Sequence, residues 1–256
     1  MFSPFVRAAA FCRYSSIIMH GGRKCNKGYK IETFFLHGKT AGGTCNSDPV
    51  LLYFANRDEK GERTTKNAFF AMISRMKNIY RWALMRNTRQ ENLCEHSHEV
   101  AVLAHALALI AVRHYGSTAD PARCALMAVY HDVPEVLTGD MPTPVKYYDP
   151  AIRTAYRQVE HAACDRLLSL LPEDLRDDYA PLLFETAGTQ EERRIVKAAD
   201  KLSALIKCVE ELAQGNREFQ SARRTCEQAV RDMHLPAADE FLERYLPAYE
   251  LALDDQ

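Results

Sequence analysis

The stretch EHSHEVAVLAHALALIAVRH, residues 95–114, decides the fold class of this chain. Its apolar residues recur at steps of three and four, so the spacing predicts one long helix from about Glu95 to His114. Gly116 then supplies a stop signal for that helix. The apolar stripe that the helix would bury consists of Val100, Leu103, Ala104, Leu107 and Ile110.

Helical spacing continues on both sides of this stretch. Asp120-Pro121 and Asp149-Pro150 each join a capping residue to a proline, which is suited to the first helical position. Proline and glycine predict an irregular connection over residues 133–149. No stretch alternates apolar and polar residues as a strand would. The sequence therefore predicts an all-α fold, with further helices over residues 69–80, 120–132, 149–171, 173–185, 190–213, 217–233 and 237–253.

The overall composition is that of an ordinary globular protein. Of 256 residues, 47% are apolar and 26% are charged, and the formal net charge is −1. These values exclude a disordered chain, a collagen-like fibre and a highly charged tail protein. No run of 18 apolar residues occurs, so no membrane-spanning helix is expected. The eight cysteines are scattered without a C-x-x-C pair, a spacing typical of reduced thiols in a cytoplasmic protein.

Residues 1–67 differ sharply in composition from residues 68–256. The first segment contains 11 Lys and Arg against 5 Asp and Glu, a net charge of +6, and seven of the eleven glycines. The second contains 22 against 29, a net charge of −7. We expect residues 1–67 to be a poorly structured basic extension, or upstream sequence translated from a wrongly chosen start. Their basic, acid-free beginning also resembles an organelle-targeting peptide.

Two short patterns contain residue types suited to metal binding. His131 and Asp132 stand together near the predicted end of a helix and offer an imidazole nitrogen and a carboxylate oxygen. Asp200 lies among small and apolar residues, where a buried carboxylate must be paired, hydrogen-bonded or bound to metal. An isolated His-Asp pair is more often solvated or simply hydrogen-bonded, and Asp200 could equally pair with a neighbouring Lys or Arg. The residues alone leave these alternatives open.

The order of these residues resembles that of a known superfamily. The order His … His-Asp … Asp of the HD-domain metallophosphohydrolases is matched by His96, His131, Asp132 and Asp200. From about Phe69 to Asp254 the chain is similar to the bacterial YfbR-like 5′-deoxynucleotidases of that superfamily. The matching blocks are residues 78–87 (NIYRWALMRN), 95–97 (EHS), 130–147 (YHDVPEVLTGDMPTPVKY) and 207–213 (KCVEELA).

The resemblance implies an HD-domain helical bundle over residues 68–256 and an enzyme activity. The family hydrolyses 2′-deoxyribonucleoside 5′-monophosphates to a deoxynucleoside and phosphate, and it forms homodimers. The resemblance also implies one divalent metal ion, such as cobalt or manganese, as the cofactor. The implied metal ligands are His96, His131, Asp132 and Asp200.

The resemblance further implies roles for residues that contact the substrate. Arg81 would hold the phosphate, because a guanidinium contacts two oxygens at once. Glu135, one helical turn beyond His131, would be the general acid or base, with Asp140 as a second candidate. Trp82 would lie against the sugar and disfavour a 2′-hydroxyl. The implied substrate-binding residues are Arg81, Trp82, His96, Asp132, Asp140, Met141, Pro142 and Thr143.

Two other functions remain as alternatives at this point. One is a different HD-type nucleotide phosphohydrolase, and the other is a non-catalytic HD-like helical binding module. The net charge of −7 over residues 68–256 disfavours nucleic-acid binding, which needs concentrated Lys and Arg. Lys207, Glu210 and Glu211 are spaced as ordinary charges on a solvated helix surface.

Overall fold

The computed structural model describes residues 67–146 and 148–255. The predicted basic extension therefore lies outside the described residues, apart from Asn67. The described part contains no β-strand, and one isolated bridge joins Tyr80 to Asn92. The all-α prediction is confirmed. The helices are α1 (Phe69–Ile73), α2 (Leu93–Tyr115), α3 (Pro121–Tyr130), α4 (Glu135–Thr138), α5 (Thr143–Lys146), α6 (Pro150–Ser169), α7 (Glu173–Leu183), α8 (Gln190–Ala213), α9 (Gln220–Arg231) and α10 (Pro236–Arg244).

The two longest helices, α2 and α8, form the centre of the bundle. They pack against each other and both pack against α3, while α9 lies on α8 and α10 lies on α2. All five residues of the predicted apolar stripe of α2 are buried in this core. A second apolar cluster is formed by residues of α1, α4, α6 and α7, with the start of α2. No helix among residues 67–146 and 148–255 is long and apolar enough to cross a membrane.

Side-chain caps explain where the principal helices begin and end. The Asn92 side chain accepts hydrogen bonds from the backbone N–H groups of Cys94 and Glu95, and the Glu95 side chain reciprocates. Asp120 caps α3 in the predicted way, with Pro121 at the first helical position. Gly116 ends α2 in the left-handed conformation, at φ +69°. The sequence signals predicted the start of α3 and the end of α2, whereas α2 begins at Leu93, before the predicted start at Glu95.

The predicted helix over residues 69–80 is wrong beyond Ile73. A 3-10 helix, Ser74–Asn78, follows α1, and Ile79 is extended. The Ile79 carbonyl accepts a hydrogen bond from Leu93 N at 3.0 Å, so the chain leaves the helix to pair with the segment before α2. Phe70 and Tyr80, both expected on the buried face, are 53% and 49% exposed.

Two other predicted boundaries also need correction. Residues 133–149 are not wholly irregular, because they contain the short helices α4 and α5. The last predicted helix, 237–253, ends at Arg244 and continues as the 3-10 helix Leu246–Glu250. Pro247 explains this break, since proline lacks an N–H and its ring clashes with the preceding helical turn.

Candidate metal centre and active site

Three helices bring the predicted ligand residues together. His96 lies in the first turn of α2, His131 follows the last residue of α3, and Asp200 lies within α8. Residues 116–120 join α2 to α3, the two helices pack together, and the start of α2 meets the end of α3 at His96 and His131. The two imidazole ring centroids are 5.3 Å apart.

His96, His131 and Asp132 form a group whose ligand atoms all lie within 4.8 Å of one another. Asp132 Oδ2 is 3.4 Å from His96 Nε2 and 3.2 Å from His131 Nε2. Asp200 approaches the same point, with Oδ1 3.4 Å from His96 Nε2. Two imidazole nitrogens and two carboxylates converging in this way match the ligand chemistry of borderline divalent metals.

Hydrogen bonds at the other ring nitrogens direct both imidazoles toward this group. His131 Nδ1 lies 2.7 Å from the Ala128 carbonyl, which can only accept, so Nδ1 carries the proton. His96 Nδ1 lies 2.9 Å from Ser203 Oγ, whose hydroxyl donates to Glu99 Oε2 at 2.5 Å. Both Nε2 atoms are buried and have no hydrogen-bond partner among the described residues. Two unpartnered nitrogens facing the same carboxylates fit a bound cation.

The Asp200 carboxylate pairs with a lysine and also faces the metal-ligand group, so both alternatives left open by its sequence context apply. Its Oδ2 accepts a hydrogen bond from Lys197 Nζ at 2.7 Å, while Oδ1 faces His96. Burial alone would raise the pKa of Asp200, but the Lys197 charge and the neighbouring histidines hold it well below its usual range. The carboxylate is therefore ionised and available to a cation.

His131 and Asp132 each stabilise the charged form of the other. Burial raises the pKa of Asp132, yet the adjacent His131 outweighs it and holds that pKa well below its usual range. Burial lowers the pKa of His131, but the Asp132 carboxylate raises it to about 9. Without metal, a proton occupies the histidine, and a cation that binds there must displace it.

Arg81 lies beside the metal-ligand group. Its Nη1 is 3.3 Å from Asp132 Oδ2, and its Nε is 3.3 Å from Glu91 Oε2. Burial lowers the pKa of Arg81, but the Asp132 and Glu91 carboxylates outweigh it and raise that pKa. The guanidinium is thus a fixed positive charge at the edge of the centre, with donors suited to phosphate oxygens.

Two carboxyl groups near the centre have raised pKa values. Burial and the nearby Asp132 and Asp140 charges raise the pKa of Glu135 to about 9. Its Oε2 is buried and finds no hydrogen-bond partner within residues 67–146 and 148–255. Burial also raises the pKa of Asp140, although the Arg81 charge opposes this. Glu135 is therefore the stronger candidate for a group that carries a proton at neutral pH.

The other predicted substrate residues lie in two segments of the chain, one at Trp82 and one at residues 141–143. Trp82 donates from Nε1 to Glu91 Oε2 at 3.1 Å, and its ring centroid is 5.4 Å from that of Phe219. Residues 141–143 lead from Asp140 into α5; Met141 and Pro142 are half-buried and Thr143 is exposed. Their roles toward a substrate stay predictions.

Sequence reasoning missed several residues that support the site. Glu99 follows His96 by three positions and Ser203 follows Asp200 by three, so helical periodicity could have placed both next to the ligands. Glu91 contacts both Arg81 and Trp82, but it lies in an irregular segment where no periodicity exists. The interpretation of residues 207 and 211 as solvated charges is wrong, because both side chains are buried.

A family model and sequence relatives match the helical part of the chain. The model described as 5′-deoxynucleotidase YfbR-like matches residues 68–249. A 5′-deoxynucleotidase from Vibrio atlanticus is 49% identical over 187 residues, which cover 73% of this chain and 96% of the relative. The 5′-deoxynucleotidase YfbR of Escherichia coli is 48% identical over 187 residues, which cover 73% of this chain and 94% of the relative.

Solved structures share the fold at lower sequence identity. An HD-domain phosphohydrolase from Listeria innocua superposes with a TM-score of 0.63 at 24% identity, covering 71% of this chain and 87% of the other. The HD phosphohydrolase DatZ of cyanophage S-2L, bound to dA and one catalytic Zn²⁺, has a TM-score of 0.50 at 18% identity. That match covers 70% of this chain and 95% of DatZ.

Proposed function

Because the chain belongs to the YfbR-like 5′-deoxynucleotidase family, we propose that it hydrolyses 2′-deoxyribonucleoside 5′-monophosphates to a deoxynucleoside and phosphate. It is a hydrolase of the HD-domain type. The observation that carries the substrate class is the 49% identity to a named 5′-deoxynucleotidase across nearly its whole length. The convergence of His96, His131 and Asp132 beside Arg81 provides the chemistry that such a reaction needs.

The proposed metal ligands are His96, His131, Asp132 and Asp200, and the proposed ion is cobalt or manganese. A divalent ion bound there would polarise a phosphoryl oxygen and activate water. The two unpartnered Nε2 atoms and the ionised carboxylates support this ligand set. Nδ1 hydrogen bonds to Ser203 and Ala128 fix the tautomer that leaves each Nε2 lone pair free.

Arg81 binds the phosphate in this mechanism. Its guanidinium is held by Glu91 on one side and by Asp132 on the other, so it has little freedom to rotate. Such a preorganised cation compensates the charge on the phosphoryl group as the bond to the 5′-oxygen breaks. The same contact with Asp132 places the phosphate next to the metal ligands.

Glu135 acts as the general acid, with Asp140 as the second candidate. In the metal-free protein its raised pKa, about 9, keeps the carboxyl protonated at neutral pH. As water attacks phosphorus and the bond to the 5′-oxygen breaks, Glu135 gives its proton to that oxygen. The proton is then recovered from the attacking water, which balances the reaction.

Trp82 selects against ribonucleotides by lying beside the 2′-carbon. Its indole N–H is already bonded to Glu91, so the ring face that remains offers no partner to a 2′-hydroxyl.

The remaining proposed substrate contacts come from His96, Asp132, Asp140, Met141, Pro142 and Thr143. Residues 1–67 are not required for hydrolysis, since every proposed site residue follows them.

We further propose that the protein is a cytoplasmic homodimer. Val102 on α2 and Leu126 on α3 are apolar but 56% and 48% exposed, and these two helices pack together. Such side chains on neighbouring helices are what an interface between two copies would cover. Sedimentation equilibrium of the purified chain tests whether it is a dimer.

The activity is tested by a phosphate-release screen. Deoxyribo- and ribonucleoside monophosphates of each base are supplied with cobalt, manganese, magnesium or a chelator. We expect release from deoxyribonucleotides that depends on a divalent ion. Release from cyclic or polyphosphorylated nucleotides, with none from monophosphates, would assign the chain to a different activity within its superfamily.

A further inference from the structure

The block KCVEELA, residues 207–213, places two buried charges outside the proposed reaction centre. Lys207 and Glu211 are 6% and 1% exposed. They lie one turn apart on α8 and form an ion pair, with Nζ and Oε1 2.5 Å apart. A buried charge is costly unless it is paired and hydrogen-bonded, so the remaining partners of this pair indicate what it holds.

The Glu211 carboxylate binds the backbone of a loop. Thr88 donates to Oε2 from its N–H at 2.8 Å and from its hydroxyl at 2.7 Å. Arg89 N donates to Oε1 at 3.2 Å. The bonds from Lys207 and Thr88, opposing its burial, hold the pKa of Glu211 at about 2, so the carboxylate is fully ionised. Hydrogen bonds to a charged acceptor are stronger than neutral ones.

The same loop is held at two further points. Lys207 Nζ donates to the Arg89 carbonyl at 2.5 Å. Asn216 Nδ2 donates to the Arg86 carbonyl and to Glu211 Oε2, each at 2.7 Å. Residues 86–89 are therefore tied to α8 and to the segment that follows it.

This loop carries the proposed substrate residues. It runs from Tyr80 to Asn92, whose bridge closes it, and Arg81 N donates to the Glu91 carbonyl at 3.0 Å. Trp82 has φ +60°, a left-handed conformation that a bulky side chain rarely adopts. Such a conformation persists only where the surrounding structure holds it.

We propose that Lys207 and Glu211 are positioning residues that hold the loop of residues 80–92 in the conformation presenting Arg81 and Trp82 to the substrate. The pair thereby sets the preference for deoxyribonucleotides. This part of the inference rests on the proposed function. The anchoring of the loop does not, because it follows from contacts within the chain.

Trp82 is the only tryptophan in the chain, so its fluorescence reports on this loop. The test variant is Glu211→Gln. Glutamine keeps the shape of the side chain, but its amide N–H group would face the Thr88 and Arg89 donors that now bind the carboxylate. We expect a red-shifted Trp82 emission and faster acrylamide quenching in the full chain. We also expect the dAMP-over-AMP ratio of kcat/KM to fall by about fivefold or more. Affinity for added manganese alone stays within about twofold of wild type, since the metal ligands are untouched.

The matched control is Glu210→Gln, a change of the same type at the adjacent position, which should leave emission and ratio unchanged. Wild-type emission or a wild-type ratio in folded Glu211→Gln overturns the inference, as does a parallel loss of manganese affinity. If Glu211→Gln does not fold, Thr88→Val decides by the same readouts, because it removes the hydroxyl bond to Glu211 and keeps the backbone bond. If the wild-type protein releases no phosphate from dAMP, the proposed function is refuted. The Trp82 fluorescence of Glu211→Gln then still tests whether Glu211 anchors the loop.

Discussion

His96 on α2 faces Asp200 on α8, with Nε2 of the histidine 3.4 Å from Oδ1 of the aspartate. The contact exists because the two longest helices pack against each other at the centre of the bundle. The same core that stabilises the fold therefore assembles the proposed metal centre. Changes at these residues should affect metal binding far more than folding.

Asp200→Asn should fold but lose most of its bound metal and activity. The amide keeps the shape of the side chain, yet it removes the negative charge that holds a divalent cation. Metal content after dialysis and thermal unfolding measure the two effects separately. Asp165→Asn, an exposed change on α6, is the control. Wild-type metal content together with normal turnover would remove Asp200 from the site.

Ser203→Ala should weaken metal binding by roughly tenfold to a hundredfold, the usual effect of removing a group that orients a ligating histidine. The change leaves His96 Nδ1 without its partner and disconnects Glu99. Isothermal titration with manganese gives the affinity.

Ser97→Ala is a matched control for this measurement. Ser97 is also buried next to His96 in sequence, but its hydroxyl has no hydrogen-bond partner among the described residues. Its loss should leave the affinity unchanged. Equal affinities for the two variants would show that Ser203 does not orient His96.

Glu135→Gln should stabilise the metal-free protein at high pH. The folded protein keeps the Glu135 proton until about pH 9, whereas the unfolded chain releases it near the ordinary glutamate pKa. Folding therefore takes up a proton between those values, so the stability contributed by this group is lost as pH rises. Glutamine carries no such proton, and its Tm should exceed that of wild type by roughly 3 °C or more at pH 9.

The difference in Tm should shrink toward zero near pH 4, where Glu135 is protonated in the folded state and mostly protonated in the unfolded state. Thermal unfolding in chelator at pH 4, 7 and 9 follows it. Glu243→Gln, at an exposed position on α10, should show no such trend. A difference between Glu135→Gln and wild type that does not change with pH contradicts the prediction.

Trp82→Ala should lower the deoxy-over-ribo ratio of kcat/KM by about tenfold, even if both activities fall. An unpaired hydroxyl buried against an apolar face costs about 1–3 kcal/mol, and removing the face removes that cost. The measurement compares dAMP with AMP in folded wild-type and variant protein. If both activities fall by the same factor, Trp82 only packs against Phe219.

The sequence predicted the helices whose boundaries depend on local chemistry. The predicted range 190–213 coincides with α8, since a capping box of Thr189 and Glu192 starts it. The family resemblance implied that His96, His131 and Asp132 lie close together. Their ligand atoms are within 4.8 Å of one another in the structure.

What the sequence could not predict depends on contacts between distant segments. Residues 79–92 leave the helical pattern because they pair with each other and with Glu211, and no local propensity encodes these contacts. Glu211 has the spacing of a surface charge, yet a loop covers it. Leu126 lies within the predicted helix over residues 120–132, but its exposure depends on which neighbours α3 meets.

The most direct test of the central claim is phosphate release from dAMP by protein stripped of metal and then reloaded. We predict no release in chelator, release on adding manganese or cobalt, and at least about tenfold lower kcat/KM for AMP under the same conditions. Equal release with and without chelator, or equal rates for dAMP and AMP in the reloaded protein, would contradict a metal-dependent 5′-deoxynucleotidase.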